Sequence, residues 1–188
     1  MRAFVFPGQG GGVAEPAAEL LPEIRRVVGE RIPDQVKMFA RAAWDADESR
    51  NLDVRPDVVA GHSLGEYGAA YAAGCFDFET GLWLVAERDR FLAEAAEETP
   101  GGMVAILKAD PKEVEQVLGE SEGSVVANYN SPRQTVISGL RGALGDAVSR
   151  IRVRKIPLTV AFAAHSPYVA AAGEKMRGVL DAVDFRTP

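Results

Sequence analysis

Apolar and polar residues follow two different periods along this chain, and they predict strands and helices in alternation. Short apolar runs at residues 2–6 and 58–60 predict strands, and a glycine follows each run within two residues. Residues 79–97 repeat apolar side chains at helical spacing and predict a long helix, which Pro100 ends. Residues 102–160 predict the order strand, helix, strand, strand, helix, strand. This succession predicts an α/β fold.

The other predicted elements complete two regions of different character. Pro22 falls inside the first predicted helix and is expected to interrupt it. The element order of the middle region is the split βαβ signature of a ferredoxin-like subdomain. We therefore predict a core formed by 1–100 and 161–188, with an inserted subdomain formed by 101–160. Helices are predicted at 15–30, 34–47, 63–73, 111–119, 140–150 and 165–182, and strands at 103–107, 124–129, 134–138 and 152–160.

The amino-acid composition mainly excludes classes of protein and kinds of site. The 188 residues correspond to about one domain. No run approaches the roughly 18 apolar residues of a membrane span, and a net charge of −6 argues against a nucleic-acid partner. The single Cys75 excludes an internal disulfide, and with only two histidines it leaves no dedicated Cys/His metal site. We expect a cytoplasmic protein that needs no metal and no cofactor.

One basic segment departs from the acidic balance. Arg150, Arg152 and Arg154 have a spacing of two, and Lys155 follows them. In an extended strand the three arginines would share one face. Such a face is either simply solvated or a docking stripe for an acidic partner.

Ser63 is the candidate nucleophile. It lies in Gly61-His62-Ser63-Leu64-Gly65, between an apolar strand and an alanine-rich helix. Gly-x-Ser-x-Gly in this context is typical of a nucleophile elbow, where a tight turn exposes the hydroxyl at a helix N-terminus. The alternative is a capping box, with Ser63 as N-cap and Glu66 three residues later.

A nucleophilic serine needs a base, and the chain offers two histidines. His165 follows a predicted strand in a loop, which suits a catalytic base; otherwise it is a helix-capping surface histidine. His62 adjoins Ser63 on a sharp turn and points elsewhere, so we interpret it as structural or pocket-lining.

The glycine-rich loop after the first strand contains Gln9. Gly8-x-Gly10-x-x-Val13 lacks the third glycine of a dinucleotide-binding fingerprint and the Lys-Ser/Thr of a phosphate loop. A glycine loop can instead place donors for an oxyanion. We expect the Gln9 region and the amide of Leu64 to form an oxyanion hole.

Arg88 falls on the apolar side of the long predicted helix. With Leu84 at 0° and about 100° per residue, Phe91 lies at about 340°, Leu92 at about 80° and Arg88 at about 40°. A cation that faces a core must be paired. Its partner is either a structural acid or a substrate carboxylate bound in bidentate fashion.

Five separated motifs occur in order along the chain: Phe6-Pro7-Gly8-Gln9-Gly10, Gly61-His62-Ser63-Leu64-Gly65-Glu66, Leu84-Val85-x-x-Arg88, the run from Ala127 to Gly139, and His165-Ser166-Pro167. With these motifs the chain resembles the malonyl-CoA:acyl carrier protein transacylases and the acyltransferase domains of polyketide synthases from about residue 3 to its end. The resemblance implies an α/β hydrolase-like core with a parallel sheet and a ferredoxin-like insert.

The resemblance implies a role for each matching residue. Ser63 would be the acylated nucleophile and His165 its base, with Gln9 and Leu64 as the oxyanion hole. Arg88 would bind the free carboxylate of a malonyl-type acyl group. His62 and Asn130 would belong to the substrate site.

The reaction implied is acyl transfer from malonyl-CoA, or a related acyl-CoA, to the phosphopantetheine thiol of an acyl carrier protein, in fatty acid or polyketide biosynthesis. Phe162-Ala163-Ala164 matches none of the family's usual specificity motifs, so the acyl group stays open. Family members continue beyond the position of Pro188, which implies a C-terminally shortened member. The alternatives are a serine hydrolase or thioesterase and an inactive truncated scaffold.

Overall fold

The chain divides into two units, each of which has its own sheet. The structure is a computed structural model that describes residues 1–9, 15–120 and 122–188. The domain boundaries predicted from the sequence, with 101–160 as an insert, stay a prediction. The first unit comprises Met1–Asp89 and Met176–Pro188, and the second comprises Arg90–Lys175.

The first unit contains a two-stranded parallel sheet. Strand β1 (Ala3–Phe6) pairs with β2 (Val58–Gly61) in a register that sets Phe6 opposite Gly61. Parallel neighbours need a long crossover, and the helices between the two strands supply it. Both strands therefore end at the same edge of the sheet, where Pro7 and His62 follow them.

The crossover begins differently from the prediction. A single helix over 15–30 was predicted, but a 3₁₀ turn is followed by a separate helix that begins at Leu21. Pro22 lies in the first turn of that helix, where a missing N–H costs no hydrogen bond, so it does not interrupt the helix. The helical elements that begin in this unit are the 3₁₀ turn Ala18–Leu20, α1 (Leu21–Val28), α2 (Asp34–Asn51), α3 (Gly65–Ala72) and α4 (Phe78–Glu98), of which the residues to Asp89 belong here.

Aromatic rings form the centre of the first unit. Phe39 of α2 is 2% exposed; its ring stacks on Phe78 at 5.9 Å between centroids and meets Tyr71 edge-on at 6.0 Å. Ring pairs in these geometries add to the gain from burying apolar area. Other fully buried side chains around them are Ile24, Val36, Leu82, Leu84 and Val85.

The second unit contains a four-stranded antiparallel sheet. From one edge to the other its strands are β4 (Ser124–Ser131), β5 (Gln134–Leu140), β3 (Gly101–Leu107) and β6 (Arg154–Pro157). Apolar side chains of the helices α5 (Pro111–Gly119) and α6 (Arg141–Arg150) pack with Val104, Ile106 and Ile137 of the sheet. With the parallel pair of the first unit, this sheet confirms the α/β class. These elements are followed by a 3₁₀ turn Pro167–Val169 and by α7 (Ala170–Leu180), whose residues from Met176 belong to the first unit.

The last strand is shorter than predicted, and the arginine stripe is wrong as a strand face. Strand β6 ends at Pro157, and one further hydrogen bond to β3 follows it, from the amide of Leu158 to the carbonyl of Met103 at 2.9 Å. Arg150 is the last residue of helix α6 and forms an ion pair with Glu120. Arg152 lies between helix and strand, so only Arg154 and Lys155 are in the extended segment. The three arginines therefore do not share one strand face.

Among the described residues, no helix combines the length and the apolar composition that crossing a membrane requires.

The tight packing of α4 on the aromatic centre predicts opposite effects for two glycine substitutions. A Cβ at Gly81 would lie 2.1 Å from Cζ of Phe39, whereas a Cβ at Gly178 of α7 would meet nothing within 4 Å. We expect Gly81→Ala to lower the free energy of unfolding by about 1–3 kcal/mol through overpacking. We expect Gly178→Ala to raise it by up to about 1 kcal/mol. Urea unfolding measures both, and a stabilised Gly81→Ala variant would contradict this packing.

Candidate active site

Ser63 lies on the turn that joins β2 to α3. Its φ of 53° is left-handed, a conformation that non-glycine residues rarely adopt outside strained functional turns. Helix α3 begins at Gly65 with Leu64 as N-cap and without a side-chain cap hydrogen bond. The capping-box alternative for Ser63 and Glu66 is therefore wrong, because Ser63 precedes the N-cap. The local geometry is that of an elbow.

Two glycines make this elbow sterically possible. A Cβ at Gly61 would lie 2.3 Å from the amide nitrogen of Glu66, and a Cβ at Gly65 would lie 2.1 Å from the carbonyl oxygen of Phe6. Both obstacles are backbone atoms, which cannot rotate away as a side chain can. The first turn of α3 thus lies directly against the end of β1, and the Gly-x-Ser-x-Gly spacing has a packing cause.

The loop after β1 lies against the same elbow. The amide of His62 donates to the carbonyl of Phe6 at 3.0 Å. A Cβ at Gly8 would lie 2.7 Å from the carbonyl oxygen of His62 and 2.8 Å from its Nδ1. Gln9 follows Gly8 and is exposed. The structure thus brings the loop that carries Gln9 to the turn that carries Ser63.

Part of the glycine-rich loop is outside the described residues. Gly10 and Val13, on which the comparison with a dinucleotide fingerprint depends, both belong to that part.

The other predicted oxyanion donor is the amide of Leu64, a residue that is 3% exposed. Within residues 1–9, 15–120 and 122–188, no backbone carbonyl accepts its N–H. An uncommitted amide at the start of a helix is the kind of donor that an oxyanion hole uses.

Arg88 of α4 reaches Ser63. It is half-buried, and its Nη2 donates to Oγ of Ser63 at 3.2 Å, while its Nη1 donates to Oε1 of Gln35. Burial lowers the pKa of Arg88 below its ordinary value, and the nearby charges of Asp89 and Glu66 partly oppose that shift. The helical-wheel prediction that this cation faces inward agrees with its half-burial.

The alternative of a structural acid finds no support around Arg88. In the part of the chain that the structure describes, no carboxylate lies within ion-pair distance of its guanidinium. Asp89, the neighbouring residue, instead accepts a hydrogen bond from Nε2 of Gln35 at 2.8 Å. A neutral amide therefore stands between the cation and the nearest acid that this network includes.

Gln35 belongs to the candidate active site, and the sequence analysis did not identify it. It is 2% exposed and lies on the inner face of α2, in series with Val36, Phe39 and Ala43. The available signal was the same as for Arg88, a polar residue within the apolar stripe of a helix. Gln35 is the second residue of its helix, where polar side chains are common, so its residue type alone does not distinguish a buried amide from a solvated one.

His165 lies in a turn of the second unit. It is exposed, and its φ of 56° is also left-handed. In the described part of the chain four non-glycine residues have a positive φ, and Ser63 and His165 are two of them. The hydroxyl of Ser166 caps the following 3₁₀ turn, accepting from the amide of Tyr168 at 3.2 Å and donating to the carbonyl of Ala163 at 2.5 Å. The helix-capping role considered for His165 is thus performed by Ser166.

Asn130 also belongs to the second unit. It is an exposed residue near the end of β4, and its Nδ2 donates to Oε1 of Gln134 across the hairpin at 3.2 Å. The structure therefore assembles Gln9, His62, Ser63, Leu64 and Arg88 within the first unit, and it places His165 and Asn130 in the second.

Comparison with known proteins identifies the family. Residues 34–188 match the model of the acyl transferase domain. The malonyl CoA-acyl carrier protein transacylase of Synechocystis is 34% identical over 208 residues, which covers 97% of this chain and 70% of the relative. The corresponding enzyme of Bacillus subtilis is 32% identical, and the alignment covers 98% of this chain and 69% of that relative. The chain belongs to the acyl transferase domain family, as the sequence motifs indicated.

Solved structures agree with this assignment. The crystal structure of the Synechocystis malonyl-CoA:ACP transacylase superposes with a TM-score of 0.88 over 99% of this chain and 71% of that chain, at 34% identity. A malonyl-transacylase in complex with a holo type II polyketide acyl-carrier protein superposes with a TM-score of 0.83, at 26% identity, over 98% of this chain and 71% of that chain.

The left-handed conformation of Ser63 predicts an unusual order of stability. Glycine adopts positive φ without strain, whereas alanine does not, so we expect Ser63→Gly to exceed Ser63→Ala in the free energy of unfolding by about 1 kcal/mol. Ser49 of α2 is the matched control. There the order reverses by about the same amount, because alanine is the better helix former. Chemical denaturation of the four variants measures both differences, and an equal order at both sites would contradict the elbow geometry.

Proposed function

We propose that this chain transfers a malonyl group from malonyl-CoA to the phosphopantetheine thiol of an acyl carrier protein, through an ester on Ser63. The observation that carries the proposal is the contact between Arg88 Nη2 and Ser63 Oγ, since it sets a cation beside a serine on a strained elbow. A hydrolase acting on uncharged acyl groups has no use for a cation at that position. The relatives named above carry out this transfer by name, and one is solved with a carrier protein.

The proposed reaction has two steps. Oγ of Ser63 attacks the thioester carbonyl of malonyl-CoA while His165 takes its proton, and the same proton then leaves with the CoA thiol. Next the thiol of the carrier protein gives its proton to His165 and attacks the malonyl ester. The malonyl group becomes a thioester on the carrier, and Oγ of Ser63 leaves with the proton that His165 returns to it. In both steps the carbonyl oxygen becomes an oxyanion, which Gln9 and the amide of Leu64 would stabilise. The reaction requires no metal or cofactor.

Arg88 would recognise the acyl group. A malonyl ester carries its free carboxylate one methylene away from the ester carbonyl, so that carboxylate must lie close to Ser63. Arg88 already reaches Oγ of Ser63 at 3.2 Å, and its planar fork suits bidentate binding of a carboxylate. Leaving its own contact with the hydroxyl, Arg88 would bind the substrate carboxylate instead.

His62 and Asn130 complete the proposed substrate site. The ring of His62 lies against Gly8, a position that supports a pocket-lining role beside the Gln9 loop. Asn130 is assigned by its place in the motif from Ala127 to Gly139.

The architecture proposed for this function is an α/β hydrolase-like core, 1–100 and 161–188, with a ferredoxin-like insert at 101–160. The elbow between a parallel strand and a helix supports the first assignment. The strand order β4-β5-β3-β6 with two helices supports the second. A cytoplasmic location belongs to the same proposal, and the free thiol of Cys75 supports it.

The direct test is covalent labelling followed by intact-mass measurement. With malonyl-CoA the chain should gain one malonyl group, Ser63→Ala should gain none, and added holo carrier protein should remove the label. Release of the label to water as malonate, without transfer to the carrier, would instead support a hydrolase. Absence of any label on the unchanged chain would indicate an inactive scaffold.

The same time course tests the proposed base. We expect His165→Ala to slow labelling at neutral pH on the order of a hundredfold, the usual scale for loss of a general base. Ser166→Ala is the matched control, because it removes the cap of the same turn and leaves the imidazole in place. If the two variants label equally fast, His165 is not the base.

For Arg88 we expect a substitution to affect acyl selectivity much more than the stability of the fold. Among the described residues no acid pairs with Arg88, so Arg88→Ala should lower the free energy of unfolding by about 1–2 kcal/mol, the cost of leaving Oε1 of the buried Gln35 without its donor. Breaking a buried ion pair would cost about 3–5 kcal/mol. Transition-state binding of malonyl-CoA should weaken by about 2–3 kcal/mol, and acetyl-CoA should gain relative to it.

The control for Arg88 is Arg50, which donates to Asp47 and to the carbonyls of Tyr71 and Ala72. Arg50→Ala should melt earlier and keep the ratio of malonyl to acetyl labelling. A large loss of stability in Arg88→Ala with an unchanged ratio would show that Arg88 is structural.

A further inference from the structure

A series of hydrogen bonds between polar side chains begins at Ser63 and continues through the first unit. Arg88 donates to Oε1 of Gln35, and Nε2 of Gln35 donates to Oδ1 of Asp89 at 2.8 Å. Gln35 is 2% exposed, whereas Arg88 and Asp89 are half-buried. The proposed transfer reaction uses Arg88 alone and gives no role to the other two residues.

The chemistry of the two ends determines the orientation of the amide between them. A guanidinium offers only donors and an ionised carboxylate offers only acceptors. Gln35 can satisfy both ends only with its oxygen toward Arg88 and its NH₂ group toward Asp89. A rotated amide would place NH₂ against guanidinium and oxygen against carboxylate, and both contacts would be lost inside the protein. Asp89 thus determines which atom Gln35 presents to Arg88.

The neutrality of Gln35 matters for a substrate-binding cation. A carboxylate in direct contact would hold the guanidinium equally well, but it would neutralise the charge that the substrate needs and compete for the same donors. The amide oxygen occupies Nη1 and leaves the net charge on the group, while Nη2 is directed at Ser63. The other charges that act on Asp89 are Asp34 and Arg31, which oppose each other.

We propose that Gln35 and Asp89 are positioning residues that direct Arg88 toward the carboxylate of the acyl group and thereby determine selectivity for dicarboxylic acyl-CoA. The proposal deepens the function proposed above and rests on it. Gln35 acts by its hydrogen bond to Arg88, and Asp89 acts one step further away, by orienting Gln35. Neither residue contacts the reacting atoms.

The test measures kcat/KM for labelling with malonyl-CoA and with acetyl-CoA in three variants. Gln35→Leu keeps the size of the side chain and removes both hydrogen bonds, so malonyl labelling should fall at least tenfold and acetyl labelling less than threefold. Asp89→Leu should lower malonyl labelling about fivefold. Asp89→Asn should stay within twofold of the unchanged chain, because its amide oxygen still accepts from Nε2 of Gln35.

The matched control is Asp47→Leu. Asp47 is also a half-buried carboxylate of the first unit, and it accepts from Arg50 and from the hydroxyl of Tyr71 at 2.7 Å. This variant should lose stability and keep the malonyl-to-acetyl ratio. If Gln35→Leu and Asp89→Leu also keep that ratio, or if Asp89→Asn loses as much as Asp89→Leu, the positioning proposal is overturned. Should Gln35→Leu not fold, the two half-buried Asp89 variants decide the question.

A binding measurement separates this proposal from the proposed function. Sodium malonate, with sodium acetate as reference, is titrated calorimetrically into the unchanged chain and into Gln35→Leu. Malonate binding that weakens at least fivefold in the variant supports positioning even where no covalent label forms, in which case only the transfer function fails. Labelling of the unchanged chain combined with equal malonate affinity in both proteins overturns positioning alone. Neither labelling nor malonate binding in the unchanged chain overturns both.

Discussion

The close approach of helix α3 to the end of strand β1 is the constraint on which the candidate site depends. The carbonyl of Phe6 occupies the space that a Cβ at Gly65 would need, and the backbone of Glu66 does the same for Gly61. Ser63 is held between these contacts in a left-handed conformation that costs free energy, and the surrounding packing supplies it. The same approach brings the loop after β1, with Gln9, against the elbow. Ser63, the amide of Leu64 and the loop that carries Gln9 are thus neighbours because two parallel strands end at one edge.

The second physical feature of the first unit is a half-buried cation, Arg88, that no acid contacts in the part of the chain that the structure describes. Desolvation lowers the pKa of Arg88, and an ordinary structural arginine would recover that cost through an ion pair, as Arg50 does with Asp47. Arg88 has instead an amide, Gln35, and a hydroxyl, Ser63. The unrecovered cost is intelligible if a carboxylate arrives with the substrate. A group that stabilises the protein less than it could is a common property of binding sites.

The second unit contains a histidine, His165, whose backbone is also left-handed. Here the local structure depends on Ser166, which ties the turn to the carbonyl of Ala163 and to the amide of Tyr168. Ser166 is thus the residue that caps the turn, and His165, which precedes it, is exposed. Within the motif His165-Ser166-Pro167, Ser166 and Pro167 build the turn, and His165 is the residue that we propose as the base.

The sequence by itself determined the α/β class, the elbow serine, the inward-facing Arg88 and the family, because these follow from local periodicity and from residues adjacent in the chain. The predicted interruption at Pro22 was wrong because proline is tolerated where a helix begins, and the sequence did not show where that was. The predicted strand at Arg150 was wrong because a strand depends on the neighbour with which it pairs. Gln35 was missed for a related reason. It lies 53 residues from Arg88, and a buried amide is distinguishable from a surface one only by the partners that folding brings to it. Tertiary structure alone decided those partners, since hydrogen bonds between distant residues leave no period in the chain.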